Sequence, residues 1–356
     1  MPKIQLGQIE ISDDTRPYCI AEIGVNHEGS MERACELIDM ARAAGAHAAK
    51  FQTYKAETIA AKKSPSYWDL NMEPISNQFQ LFKKFDMFGQ AEYEELAKYC
   101  ANLGIDFLST PFDFEAVDFL DPLMPFFKIA SADITNTPFL EHIAEKKKPV
   151  VLSTGAATLA EIDQAILTLR SAGAAEIALL HCILNYPTSD AEANLNMILG
   201  LRRTYPDLVI GYSDHTLPDD HMQVLTTSYL KGARIIEKHF THDRTIKGND
   251  HLHSMTAENL QSFWKNLDRI RDLEGETTKR PLDSEGPART NARRSIVLKR
   301  AISKGQEIIE TDITVKRPAH GIPPMFFHEV VGMTAIHDLE EDHILQWCDI
   351  ARGISV

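Results

Sequence analysis

The stretch ARIIEKHF (233–240) reads as a core strand that ends in charge: Ile235 and Ile236 run straight into Glu237, Lys238 and His239. Side chains two apart in a strand share a face, so Glu237 and His239 point the same way. Seven other runs have the same design. CIAEIG (19–24) carries Glu22, AHAAKFQ (46–52) carries Lys50 and Gln52, and IDFLSTP (105–111) carries Thr110. FFKIAS (126–131) holds Lys128 and Ser131, and PVVLSTG (149–155) holds Ser153. EIALLHC (176–182) leads to Tyr186, while LVIGYSD (208–214) contains Ser213 and leads to His215. The runs are continuously apolar instead of alternating, as burial on both faces of a parallel sheet requires. In a parallel barrel the C-terminal strand ends converge on one mouth, so residues scattered over more than half the chain become neighbours.

Helical patterns separate the runs. MERACELIDMARAAG (31–45) spaces Ala34, Leu37, Ile38 and Ala41 along one face, with Ser30 as N-cap. Eight such units over roughly 250 residues predict an α/β fold, a (β/α)8 TIM barrel. A doubly wound open sheet, the structural alternative, has no reason to stop at eight units. The connection from Thr53 to about Gly89 is far longer than a usual βα loop and reads as a lid over the mouth or as a subunit-contact arm. GETTKRPLDSEGPARTNA (275–292) has linker composition. The expected organisation is a barrel over 1–275, a linker over 276–292 and a small β-rich module over 293–356, in which short β-type runs alternate with Gly and Pro turns.

With 51 acidic against 37 basic residues the net charge is -14, which argues against a nucleic-acid or membrane-surface binder. An anionic ligand must therefore be held by locally placed cations. Cys19, Cys35, Cys100, Cys182 and Cys348 are odd in number and never form a CxxC pair, so they read as reduced thiols of a cytoplasmic chain. MPKIQLGQIEISDD (1–14) lacks the basic and apolar regions of a signal peptide, and no run is long enough to span a bilayer.

Charged residues facing a barrel interior cost several kcal/mol of desolvation each unless they are paired, so the same-face pairs Lys50 with Gln52, Ser213 with His215 and Glu237 with His239 point to a ligand site. Lys50 and Lys128, with the hydroxyls of Thr110, Ser131, Ser153 and Ser213, form an anion cradle suited to phosphate. His215 and His239, on neighbouring strands seven and eight, could offer two imidazoles to one divalent cation; hydrogen-bonded or acid–base histidines are the alternative.

AEIGVNHEGS (21–30), AAKFQT (48–53), FLSTPFD (107–113), FKIASADITN (127–136), VLSTGA (151–156), HCILNYPT (181–188), GYSDHT (211–216) and IEKHFTHDRTIKGNDH (236–251) together resemble the sialic acid synthase family, the nonulosonate synthases. KGQEIIETDITVKRPAHGI (304–322) resembles the antifreeze-like SAF module of that family. The resemblance implies condensation of phosphoenolpyruvate with an open-chain aminosugar, aided by a divalent metal, Mn2+ or Mg2+. It assigns His215 and His239 to the metal and Lys50, Lys128, Ser131, Ser153 and Ser213 to phosphoenolpyruvate. Glu22 becomes the leading acid–base residue, Lys50 and Asp250 stand with it at the reacting atoms, and Gln52, Thr110, Tyr186 and Glu237 lie around sugar or metal. Asp133 stands where the family carries an acidic residue, one methylene shorter than the Glu common in bacterial members. Asn185 falls one residue after the usual polar position, which Leu184 occupies. His251 follows the family pattern after Asp250, whereas His242 and His253 read as surface or loop histidines. Arg317 matches an arginine that the module of one subunit extends into its partner's site, which implies a domain-swapped homodimer.

The expected acceptor is a non-phosphorylated N-acetylmannosamine-type aldose. The alternatives keep the chemistry on a diacetamido-trideoxyhexose of the legionaminate or pseudaminate type, on mannose, or on N-acetylmannosamine 6-phosphate. A non-catalytic carbohydrate- or ice-binding homologue is the reading from another class, and intact Glu22, Lys50, Lys128, His215 and His239 speak against it.

Overall fold

The computed structural model describes residues 1–68, 70, 73–248 and 250–352, and two compact units divide at Glu274 and Gly275. The first begins with an antiparallel hairpin, β1 (Lys3–Leu6) and β2 (Ile9–Ser12), turned at Gly7. Eight parallel strands follow: β3 (Tyr18–Gly24), β4 (Ala48–Thr53), β5 (Asp106–Pro111), β6 (Phe127–Ile129), β7 (Val150–Ser153), β8 (Ile177–Cys182), β9 (Val209–Asp214) and β10 (Ile235–His239). Their hydrogen-bonded order is β5-β4-β3-β10-β9-β8-β7-β6, and β5 lies alongside β6 to close the ring. This is the TIM barrel that the eight apolar runs predict.

Strand burial is nearly total, because helices cover the outside and side chains fill the inside. The helix Met31–Ala43 buries Ala34, Leu37, Ile38 and Ala41, and Ser30 Oγ accepts the Arg33 amide at 3.2 Å as its N-cap. In the helix Leu159–Ala172, Thr158 and Glu161 form a capping box, and Gly173 ends the helix at φ 102°, a backbone conformation that favours glycine. The register aligns the chemistry: His239 lies opposite Glu22, Glu22 opposite Lys50, Gln52 opposite Thr110, and Glu237 opposite Ser213.

The long connection after β4 is folded. It contains the helices Ala56–Ile59 and Gln78–Phe85, and Lys55 Nζ ties its base together by donating to the carbonyls of Asp86 (2.8 Å) and Phe88 (2.9 Å). Asp69, Asn71 and Met72 of this connection, Asn249 and residues 353–356 lie outside the described residues.

In the second unit the linker region holds a short helix, Gly286–Asn291. Two antiparallel pairs follow, β11 (Ser295–Leu298) with β12 (Ile313–Lys316) and β13 (Met333–Ala335) with β14 (Ile350–Arg352). Ile296, Leu298, Ile302, Ile308 and Ile313 belong to this unit's own core. Arg317 is exposed one residue after β12. Among the described residues no helix is long and apolar enough to cross a membrane.

Gly211 lets β9 approach β10 closely, since a Cβ there would sit 2.4 Å from the Ile235 carbonyl oxygen. Gly211→Ala should cost about 1–3 kcal/mol by overpacking β9 against β10. Thermal unfolding checks this: an unchanged Tm would mean that the strands part freely at that point.

Candidate active site

Four ionisable side chains from four strands meet inside the mouth. Glu22, Lys50, Lys128 and Glu237 are between 2% and 6% exposed. Lys50 Nζ pairs with Glu22 Oε2 at 2.5 Å and lies 3.7 Å from Glu237 Oε2, while Lys128 Nζ lies 3.6 Å from Glu237 Oε1. Charge thus alternates along the chain Glu22, Lys50, Glu237, Lys128. Lys50 also donates to Thr110 Oγ1 at 3.0 Å, Gln52 Nε2 to Glu22 Oε1 at 3.0 Å, and Ser213 Oγ to Glu237 Oε1 at 2.9 Å. Lys128 donates to the Ile129 carbonyl at 2.9 Å.

These groups are unequally compensated. Burial raises Glu22 to about 7; the neighbouring Glu237 adds to this and Lys50 opposes it. Burial also pulls Lys128 down. Burial acts on Glu237 in the opposite sense, yet Lys128 and Lys50 hold it below its ordinary value. Near neutrality the cluster therefore keeps one ionised carboxylate between two lysines, with a second carboxyl poised to gain or lose a proton.

Beside it, Ser131 Oγ accepts the Gly155 amide at 2.8 Å, and a Cβ on Gly155 would stand 2.8 Å from that oxygen. The glycine admits a close approach that another residue would block. Ser153 Oγ is buried, and among the described residues it has no hydrogen-bond partner. Ser131 directly follows β6, the strand of Lys128, Ser153 ends the adjoining β7, and Ser213 on β9 faces Glu237 of β10.

The histidines form the second half of the site. His215 Nδ1 lies 2.8 Å from the Ile183 carbonyl, which can only accept, so Nδ1 carries a proton and, in the neutral ring, Nε2 keeps the lone pair. His215 and His239 rings are 5.5 Å apart, and Tyr186 packs on His215 at 4.1 Å. His239 Nδ1 lies 3.3 Å from Asp250 Oδ2. Burial, reinforced by His253 and His215, drives His239 well below the ordinary histidine range, and burial raises Asp250 to about 6.

His253, read from the sequence as a surface or loop histidine, does lie in the loop after β10 but is buried: it is 3% exposed, with its ring 4.8 Å from that of His239 and Nε2 3.7 Å from Asp250 Oδ1. Backbone hydrogen bonds explain the difference: the Met255 amide donates to the His239 carbonyl at 2.7 Å, folding the loop after β10 back over the strand end. No periodicity reveals such a fold-back. His242 is half-buried, and His251 is buried with Nδ1 2.7 Å from Thr241 Oγ1. Asp133 is half-buried and accepts from Asn136 Nδ2 at 3.1 Å; no hydrogen bond among the described residues joins it to the lysine cluster. Asn185 is exposed, and its carbonyl accepts from Thr188. Cys182, not singled out by the sequence, places Sγ 3.8 Å from His215 Nδ1.

Paired lysines and carboxyls around serine hydroxyls, beside a knot of buried histidines at a barrel mouth, suit the binding of an anionic ligand. Residues 37–279 match the NeuB family model and residues 293–351 the SAF domain model. An N,N'-diacetyllegionaminic acid synthase from Legionella pneumophila is 38% identical over 93% of this chain and 93% of its own length. The human N-acetylneuraminate-9-phosphate synthase is 31% identical over 91% of this chain and 90% of its own. The crystal structure of an N-acetylneuraminic acid synthetase from Leptospira borgpetersenii superposes with TM-score 0.68 at 33% identity, covering 80% of this chain and 94% of that one. The chain belongs to the NeuB family and is an enzyme of the N-acetylneuraminate synthase type.

The raised Glu22 makes a pH prediction. Between about pH 4.5 and 7 the folded chain holds a proton there that the unfolded chain has released, so this carboxyl's contribution to stability falls as pH rises through that window. Relative to Glu22→Gln, the wild type should lose stability from pH 4.5 to 7 in denaturant titrations; a constant difference would place the proton elsewhere.

Proposed function

We propose that this chain condenses phosphoenolpyruvate with the open-chain aldehyde of a 2-acetamido aldose, releasing inorganic phosphate and a nonulosonic acid. The observation that carries this reading is the alternating buried chain Glu22, Lys50, Glu237, Lys128 lying beside the histidines at one barrel mouth. Lys50 and Lys128 offset the phosphate and carboxylate of phosphoenolpyruvate, and the hydroxyls of Ser131, Ser153 and Ser213 orient them.

The donor set fits a divalent cation. His239 Nδ1 is buried and lacks a hydrogen-bond partner among the described residues, and His215 keeps Nε2 free by donating through Nδ1. His215 and His239 would hold Mn2+ or Mg2+, and the bound cation would supply Lewis-acid polarisation of the aldehyde. As C3 of phosphoenolpyruvate bonds to the aldehyde carbon, protonated Glu22 gives its proton to the forming alkoxide. It then takes one from the water that adds at C2. The C2–O bond to phosphorus breaks, and the new C2 hydroxyl proton leaves with phosphate. Asp250, Tyr186, Gln52 and Thr110 surround the sugar.

Within this class the 2,4-diacetamido-trideoxy sugar is the favoured acceptor over N-acetylmannosamine. Its support is the 38% identity to the Legionella enzyme, against 33% to the Leptospira N-acetylneuraminic acid synthetase and 31% to the human N-acetylneuraminate-9-phosphate synthase. Arg317 and its SAF unit serve the site of a second copy in this reading, and its exposure within its own unit leaves it available.

Phosphate release by metal-reconstituted protein should require both phosphoenolpyruvate and sugar and be fastest with the diacetamido sugar in a panel including N-acetylmannosamine, its 6-phosphate and mannose. Preference for another member of the panel would reassign the acceptor, and no release with any would overturn the reading. Glu22→Gln should lower kcat by about 10²–10⁴ with the fold intact. Arg317→Ala should impair sugar use without lowering Tm; lost Tm with full activity would make the unit a structural support.

A further inference from the structure

We propose that His253 is a third imidazole ligand, so that the cation site is built from His215, His239 and His253 with Asp250 and prefers a first-row transition cation to Mg2+. The proposal deepens the metal-dependent reading above and rests on it.

Three observations carry it. One ligand atom each from His239, Asp250 and His253 lies within 4.8 Å of the others. His239 Nδ1 and His253 Nε2 flank the same carboxylate at 3.3 and 3.7 Å, and both are buried without a hydrogen-bond partner among the described residues. The loop is locked in this pose: Phe240 bridges Met255, Ser254 Oγ donates to the Asp250 carbonyl at 2.6 Å, and Asn26 Nδ2 donates to both Phe240 O (3.0 Å) and Ser254 Oγ (3.1 Å).

A packing role accounts for this poorly. His253 does stack edge-on against His239 and Tyr186. Packing alone, however, would leave two imidazole nitrogens desolvated and without hydrogen bonds, with phenylalanine or leucine able to fill the same space at no such cost. Its neighbour His251 shows the satisfied alternative, turned away onto Thr241 Oγ1 at 2.7 Å. A cation between His239, His253 and Asp250 would satisfy all three. Each added imidazole moves a site away from Mg2+, which prefers oxygen ligands and retained waters, and towards Mn2+, Co2+ or Zn2+.

The test is Mn2+ binding by full-length, chelator-stripped protein, measured by calorimetry and by pulsed electron paramagnetic resonance, which registers imidazole nitrogens on Mn2+. Three imidazoles are expected in the wild type. His253→Gln and His253→Ala should weaken Mn2+ by at least about tenfold, narrow its advantage over Mg2+ and remove one imidazole signal. Should both variants fail to fold, judged by melting in chelator, the wild-type spectrum decides alone. Two imidazoles, or His253 variants that bind Mn2+ like the wild type, would overturn the role of His253 and leave the metal reading standing. A wild type that binds no Mn2+ yet turns over in chelator would overturn both.

Discussion

Four buried charges that neutralise one another only in alternation set the terms for this barrel. Removing a carboxylate or ammonium from water costs several kcal/mol, and mutual attraction recovers that only when each charge has a close partner. Lys50 has one at 2.5 Å and a second at 3.7 Å, whereas Lys128 finds its nearest carboxylate at 3.6 Å. Burial is visible in the outer members: Glu22 rises to about 7 and Lys128 is lowered. An incoming dianion would complete what Glu237 does incompletely, so ligand binding and relief of desolvation act in the same direction.

The strand that supplies Glu237 shows what a completed network looks like. Lys238 points to the opposite face, where Nζ donates to Asp214 Oδ2 at 2.5 Å and to the Thr216 carbonyl at 2.7 Å. Asp214 also accepts from Tyr212, the Thr216 amide and the Thr216 hydroxyl. Every polar atom there is answered by protein, which marks structure. On the inner face Ser153 Oγ, Glu237 Oε2, His239 Nδ1 and His253 Nε2 lack partners among the described residues, which marks a place for something else.

Sequence reading reached the barrel because doubly buried parallel strands leave an apolar signature that ends where the chemistry starts. The same reasoning reached Lys50, Lys128, Glu22 and Glu237, since strand alternation fixes which face each one takes. It missed the hairpin of β1 and β2, although Ile4, Leu6 and Ile11 alternate around Gly7 and join the barrel core. That signal was legible; eight stronger runs obscured it. His253 was not legible. Its position depends on the Met255 amide meeting the His239 carbonyl, a contact between loop and strand end that no spacing rule encodes. Asp133 shows the reverse, a position matched by motif whose side chain accepts from Asn136 within its own turn.

Strand ends and loops hold the side chains of this mouth with unequal rigidity. Glu22, Lys50, Lys128, Ser153, Ser213 and Glu237 stand on β3, β4, β6, β7, β9 and β10, as Gln52 and Thr110 stand on β4 and β5, and a register shift in one strand would disturb its neighbours. The side chains carried on loops are fixed less rigidly. Tyr186 lies in the loop after β8, Asp250 in the loop after β10, and the folded connection after β4 has its own helices and ties at Lys55. Loops can change length and side chain without disturbing the barrel. A single architecture can therefore keep the lysine–carboxyl cluster in place while Tyr186 and Asp250, on loops, are free to vary; in the proposed reading Gln52 and Thr110 are the part of the acceptor site that the strands hold fixed.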